Sequence, residues 1–296
     1  MVLKNAYTVI ILLLLVFYVP IKSGPSADEQ KKAVWVEIDT TMVFSNMVSP
    51  ADAKNRTIAF ARECAIKKAM PEEVAITSLL TDYLGETGKH AEEQTAWSIF
   101  ALSSVGGYIV DEKIQFANMT SFSGEVYTFR VKLRAKIEPT KGERNPAISL
   151  DLQLENNYLK DGDELNITAR SSVDGYLYLF DFLADNSVLL LFPNHISKNN
   201  FIKANTILQI PTKEERQYGV RYRVKSNPES KVTVETIYGV FCVNPIAGID
   251  KFQQLKKHHV TFSAGDESFT QFQRWLANVP LSQRVEKAVQ IHIAKK

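Results

Sequence analysis

Side chains able to do chemistry are sparse in this 296-residue chain, and their spacing argues against familiar reactions. Five histidines (His90, His195, His258, His259 and His292) supply the groups that titrate near neutrality without help. His258 and His259 are adjacent, so they point to opposite sides of a strand or about 100° apart on a helix. Such a pair chelates a metal poorly, and with Lys256 and Lys257 it reads as a solvated basic patch. Asp161-Gly162-Asp163-Glu164 has the composition of a calcium loop but lacks the alternating ligands and the distal glutamate, so it reads as a turn. G-x-S-x-G, H-E-x-x-H, the P-loop and G-x-G-x-x-G are all absent from the sequence. No catalytic residue, metal ligand or cofactor is assigned on these grounds.

Three groups remain as candidates. Asp181 lies on an otherwise apolar strand face, where burial would raise its pKa; the plainer expectation is a hydrogen-bonded position in a sheet or at its edge. In "GVRYRVKS", Arg221, Arg223 and Lys225 alternate with Val220, Tyr222 and Val224, giving a basic stripe on one side of an expected strand. That stripe would bind an anionic partner, or simply protect a sheet edge from aggregation. The polar loop "NHISKNNF" adds Asn194 and His195 as binding candidates, beside a rigid hairpin or as a plain connector.

That hairpin is the element that must position them. "DGYLYLFDFLADNSVLLLFPN" reads as two strands joined by the "ADNS" turn. Tyr176, Tyr178, Phe180 and Phe182 face one way, and Leu177, Leu179, Asp181 and Leu183 the other. A strand apolar on both faces belongs at the centre of a sheet covered on both sides. Around it, "ISLDLQLE", "YLKDGDELNITARSS", "TILQIP" and "KVTVETIYGVFCV" repeat short strands between turn residues, the pattern of a β-sandwich. "GDESFTQFQRWLANV" is an amphipathic helix expected to pack on that sandwich, and "VEKAVQIHI" a final strand.

The N-terminal half reads differently. "AVWVEI", "GGYIVDEKIQF" and "GEVYTFRVKLRAKI" read as strands, and "EEVAITSLL" is a further candidate strand. "GETGKHAEEQTAWSIFAL" has loop and helical character. "SPADAKNRTIAFARECAIKKAM" is a helix capped by Ser49, with Pro50 in its first turn and small residues that allow close packing on a sheet. "EPTKGERNP" is expected to link two domains. The fold class expected is therefore α+β: a small sheet domain over 27–140, then an antiparallel sandwich-like domain with a C-terminal helix over 141–296.

Residues 1–26 read as a signal peptide. Lys4 precedes a 13-residue apolar run from Tyr7 to Val19, too short for the roughly 20 residues of a membrane span. Pro20 ends it, and Gly24 and Ser26 suit cleavage between Ser23 and Ala27; an uncleaved anchor is the alternative. No cysteine lies there for lipid attachment, so the expected location is periplasmic or extracellular, without a lipoprotein anchor. Removing Lys4 and Lys22 leaves 33 basic and 33 acidic residues, which argues against a nucleic-acid partner. Cys64 and Cys242, one in each half, are read as buried free thiols.

The stretch from Leu150 to Pro211 resembles domain-of-unknown-function family 4384 of bacterial exported proteins. The likeness rests on the Leu-x-Leu start, Asp-Gly-Asp-x-Leu, the Gly-Tyr-Leu-Tyr-Leu-Phe and Leu-Leu-Phe-Pro-Asn strands, and the approach through Asn200, Ile202 and Ala204 to Ile210-Pro211. The resemblance implies a cell-envelope location, a β-rich fold and no established catalytic residues. The N-terminal half more loosely resembles envelope modules of flagellar collar proteins. The expected function is a non-enzymatic exported envelope protein that binds or scaffolds other macromolecules, its partner an envelope protein or an anionic envelope polymer. Membrane contact would be peripheral or through the uncleaved anchor. The alternatives are an envelope-polymer hydrolase acting near His195 or Asp181, and an accessory module binding a small ligand in a sandwich-end pocket. A pocket where acid and base converge points to the hydrolase, a flat basic or aromatic surface to the scaffold.

Overall fold

A computed structural model describes residues 32–70, 107–184, 187–228, 232–249 and 266–296, and residues from Lys32 onward form one compact unit. The expected signal peptide, "EEVAITSLL", "GETGKHAEEQTAWSIFAL", His90, His258 and His259 lie outside the described residues. The fold is α+β, as the sequence pattern implies.

Three antiparallel strands open it: β1 (Val34–Ser45), β2 (Gly107–Ser123) and β3 (Val126–Pro139), with β3 in the middle. Alternation in β3 buries Tyr127, Phe129, Val131, Leu133, Ala135 and Ile137 on one face and leaves Arg130, Lys132 and Arg134 on the other. Helix α1 (Pro50–Ala69) packs on the buried face. Ser49 caps it by accepting from Asp52 N at 3.1 Å, and Ala53, Ala61 and Ala65 are fully buried, which lets the helix lie close to the strands.

Two further sheets make the sandwich. The smaller pairs β4 (Leu150–Leu154), β6 (Ile167–Ser171) and β10 (Leu208–Ile210), in the order β10-β6-β4. The larger runs β5 (Tyr158–Lys160), β12 (Arg284–Ala294), β11 (Val232–Cys242), β7 (Gly175–Phe182) and β8 (Val188–Phe192), with β9 (Phe201–Ile202) also on β7. Pairing is antiparallel except between β5 and β12, which run parallel. β7 holds the central, doubly covered position. Leu177 and Leu179 face the small sheet and join Ile237, Phe241, Leu152 and Ile167 in one core. Tyr178, Phe180 and Phe182 face the other way and meet helix α3 (Asp266–Ala277), where the Phe272 ring lies 4.8 Å from Phe180 and 4.9 Å from Phe182.

That second core continues through Phe269 and Trp275 of α3 into α1 and the first sheet. The connecting segment after β3 is irregular and mostly exposed, yet the two halves share a hydrophobic core across it. Gly175 is required by a close approach: a Cβ there would stand 2.4 Å from the Cys242 carbonyl oxygen. Both thiols are free; Cys242 is buried, but Cys64 is only part-buried, short of the burial its helical spacing implies.

Candidate functional site

The basic segment departs from its expected secondary structure. Residues 220–226 are extended but form no regular strand, making one isolated antiparallel bridge between Arg223 and Glu164. The reason lies in its partner, the Asp161-Gly162-Asp163-Glu164 turn, which presents too short a straight edge to extend a ladder. Gly162 N donates to Val224 O at 2.8 Å, and Leu165 N donates to Tyr222 O at 2.7 Å. Gly162 has a φ of 80°, the left-handed region expected of that turn. Asp161 accepts from Ser226 N at 2.7 Å, a bond that, with nearby lysines, holds its carboxyl below the usual aspartate value. The alternation itself is kept: Val224 is buried and Arg221, Arg223 and Lys225 are exposed.

This segment roofs a cleft of about 660 Å³ at the end of the sandwich. Its walls are largely apolar, from Leu165, Leu189, Leu191, Ile196, Val220 and Val224. All the sequence-derived candidates line it: Asn194, His195, Arg221, Arg223 and Lys225, together with Asp181. They do not stand in it equally. Arg221 and Arg223 both reach Glu164, at 3.6 and 3.4 Å, while Lys225 makes no hydrogen bond or ion pair among the described residues. His195 is exposed at the mouth.

Asn194 is a structural residue. Its Oδ1 accepts from Ile196 N and Ser197 N, both at 3.0 Å, and its Nδ2 donates to Leu191 O, Glu215 and Tyr222. Glu215 belongs to α2 (Lys213–Gln217), a short helix whose Thr212 and Glu215 form a reciprocal capping box. The Glu215 carboxylate, fully buried, accepts from Thr212 N and from the Tyr222 hydroxyl, each at 2.5 Å. Burial and the Glu215 contact push the Tyr222 phenol well above its ordinary pKa, so it acts as a fixed donor. The Phe192–Pro193 and Ile210–Pro211 peptide bonds that flank this network are both cis. The T-x-x-E pattern of Thr212 and Glu215 carries this helix in the sequence.

Deeper in the cleft lies Asp181, 7% exposed. It sits opposite Leu189 and Ile237 in the sheet, near the end of β7, and its Oδ1 has no hydrogen-bond partner among the described residues. The hydrogen-bonded environment expected for it is therefore incomplete. Burial raises its pKa to about 7, leaving the carboxyl partly protonated at neutral pH. Glu235, 8% exposed, stands two residues along β11 from Ile237 and on the same sheet face. It also lines the cleft and is the residue that the sequence reading missed. Period-two alternation with Thr233, Ile237 and Phe241 was the available signal. The lining hydroxyls are engaged: Ser226 Oγ bonds to Asp161 at 3.2 Å, and Thr233 Oγ1 accepts from Asn227 N at 2.6 Å.

The molecule is thus an α+β protein whose sandwich carries an end cleft with buried acids and a basic mouth. Residues 158–235 match the family model described as "Domain of unknown function (DUF4384)". Every residue lining the cleft falls inside that stretch, so the cleft is built by the matched module alone. No curated protein matches the chain.

Proposed function

We propose that this is a non-enzymatic, exported cell-envelope protein whose sandwich module binds a small ligand in its end cleft. The observation that carries the reading is the convergence of Asp181, Lys225 and the two arginines on one largely apolar cavity within the matched module. A volume of about 660 Å³ falls in the range of small-molecule sites, roughly 300–1,000 Å³. The apolar wall supplies affinity and the few polar groups supply orientation. Binding in the envelope then lets the module report on a ligand or present it to an envelope partner, which keeps the expected partner class within the proposal.

A small-molecule library screened by thermal shift against the purified chain tests this. Ligands should raise the melting temperature, and Leu189→Trp, which fills the cleft from β8, should abolish the rise. Absence of any ligand, or binding unaffected by Leu189→Trp, refutes the proposal.

One observation favours the hydrolase as a second reading. Asp181, partly protonated at neutral pH, and His195 line the same cleft, one buried and one exposed at its mouth, so an acid and a base share the cavity. Against it, the Ser226 and Thr233 hydroxyls are held by other partners and offer no ready nucleophile. Turnover of an envelope polymer that is lost in both Asp181→Asn and His195→Gln would establish the hydrolase over the binding protein.

A further inference from the structure

Resting on the binding reading above, we infer that the cleft selects an amphipathic zwitterion. Its protonated amine reaches Asp181, its apolar body lies on the leucine and valine wall, and its anionic end meets Lys225 at the mouth. Three features give this polarity. The acids Asp181 and Glu235 are buried, whereas Arg221, Arg223, Lys225 and His195 are exposed, so the cleft is acidic within and basic at its opening. Glu164 already engages both arginines, whereas Lys225 makes no ion pair among the described residues and feels the Asp161 carboxyl only at longer range, so it is the mouth cation with donors to spare. Asp181 Oδ1 is buried with no hydrogen-bond partner there.

The orphan oxygen decides the sign of the ligand's inner end. A buried carboxylate without a partner is costly, and an ammonium donor would satisfy it with a charge-assisted bond. A second anion placed there would meet Asp181 and Glu235 together. The wall between floor and mouth is largely leucine, isoleucine and valine, and the Asn194, Tyr222, Ser226 and Thr233 groups that interrupt it are engaged with protein partners, so the middle of the ligand is apolar.

Titration calorimetry on the purified chain tests the inference with leucyl-leucine, its N-acetyl derivative and its C-terminal amide as probes. Leucyl-leucine should bind. Blocking its amine should weaken binding at least tenfold, and amidation of its carboxylate about three- to tenfold. Lys225→Met should erase the second penalty and leave the first. Asp181→Asn, near-isosteric and checked for an unaltered melting curve at pH 5, should erase the first penalty.

Proton release gives an independent readout. At pH 7 the free Asp181 carboxyl is partly protonated, so an arriving ammonium should expel a fraction of a proton per ligand. Other titrating or charged groups face the cleft, namely Glu235, His195, Tyr222, Arg221, Arg223 and Lys225, so the difference between wild type and Asp181→Asn is the quantity to read. Affinity should rise as pH increases from 6 to 7, and level off as the dipeptide's own amine, with a pKa of roughly 8, begins to lose its proton. Equal binding of free and acetylated dipeptide, no proton release, or no binding of any of the three probes overturns the inference. If library compounds still bind in a Leu189-dependent way, the binding function stands and only the zwitterion falls.

Discussion

Two carboxylates flanking the same cleft have been buried on different terms. Glu215 is surrounded by donors: Thr212 N, Asn194 Nδ2 and the Tyr222 hydroxyl all converge on it. Asp181 is comparably inaccessible, yet its Oδ1 has no partner among the described residues, and its pKa has risen to about 7. The first arrangement fixes a loop, because a satisfied polar network admits one geometry. The second holds an unmet electrostatic demand at the floor of a cavity. Burial alone therefore does not set these two acids apart. The completeness of their hydrogen bonding does.

The largest expected effect comes from breaking the satisfied side. Glu215→Ala should destabilise the fold by about 3 kcal/mol in urea unfolding, because Asn194, Tyr222 and Thr212 lose a shared acceptor in a dry site. Glu215→Gln should recover part of that loss, since one oxygen remains while its amide nitrogen faces donors. Both variants should also loosen the cleft wall, as Asn194 and Tyr222 line it. A loss of stability below about 1 kcal/mol would mean that the network is ornamental.

Asp181→Asn should act in the opposite direction. A group whose pKa is raised on folding stabilises the native state most at low pH, and that contribution fades as pH rises through the folded value. The window here runs from the ordinary aspartate value of 3.8 to about 7, and the loss across it is on the order of 4 kcal/mol. Unfolding free energies for wild type should thus decline between pH 4 and pH 8 by more than those of the variant. At pH 8 Asp181→Asn should be the more stable protein, by about 1–3 kcal/mol, while losing the ligand's amine preference. An unchanged pH profile would place a hidden partner on Asp181 and remove the contrast.

How far the sequence exposed this contrast depends on the kind of information each residue carries. The alternation in "DGYLYLFDFLADNSVLLLFPN" determines both faces of β7, because side-chain period and burial are local consequences of a strand. Helix α1 was legible through Ser49, Pro50 and its alanines. Arg221, Arg223, Lys225, Asn194, His195 and Asp181 could be picked out one by one. Their meeting in one cleft could not, since it depends on how the 161–165 turn folds against 220–226. The same dependence on tertiary pairing explains why "GVRYRVKS" alternates like a strand without becoming one. The network that holds Asn194 was not legible either, because its partners Glu215 and Tyr222 lie 21 and 28 residues away. The shared core linking the halves was equally invisible, as it needs Phe272 of α3 to reach back to Phe180.

A third carboxylate sharpens the comparison from the wet side. Asp39 sits on the exposed face of the first sheet, where Arg130 donates to its two oxygens at 2.7 and 2.6 Å. Those hydrogen bonds, and the charge of Arg130 and then Lys132, lower its pKa below 3.8. Neighbouring Lys132 pairs with Glu37 in the same way, at 2.6 Å. Asp39 thus has the opposite shift from Asp181, and its linkage has the opposite sign: the contribution is present above pH 4 and fades as pH falls through the lowered value. Solvent screening makes this the smallest of the effects. Asp39→Asn should barely move the unfolding midpoint at neutral pH, and salt should shrink even that difference, as for other exposed pairs. The same salt should leave the Asp181-dependent slope between pH 4 and pH 8 nearly intact, because little solvent reaches that carboxyl to screen it. Measured together, the two salt responses separate a charge paired at the surface from a buried one whose Oδ1 has no hydrogen-bond partner among the described residues.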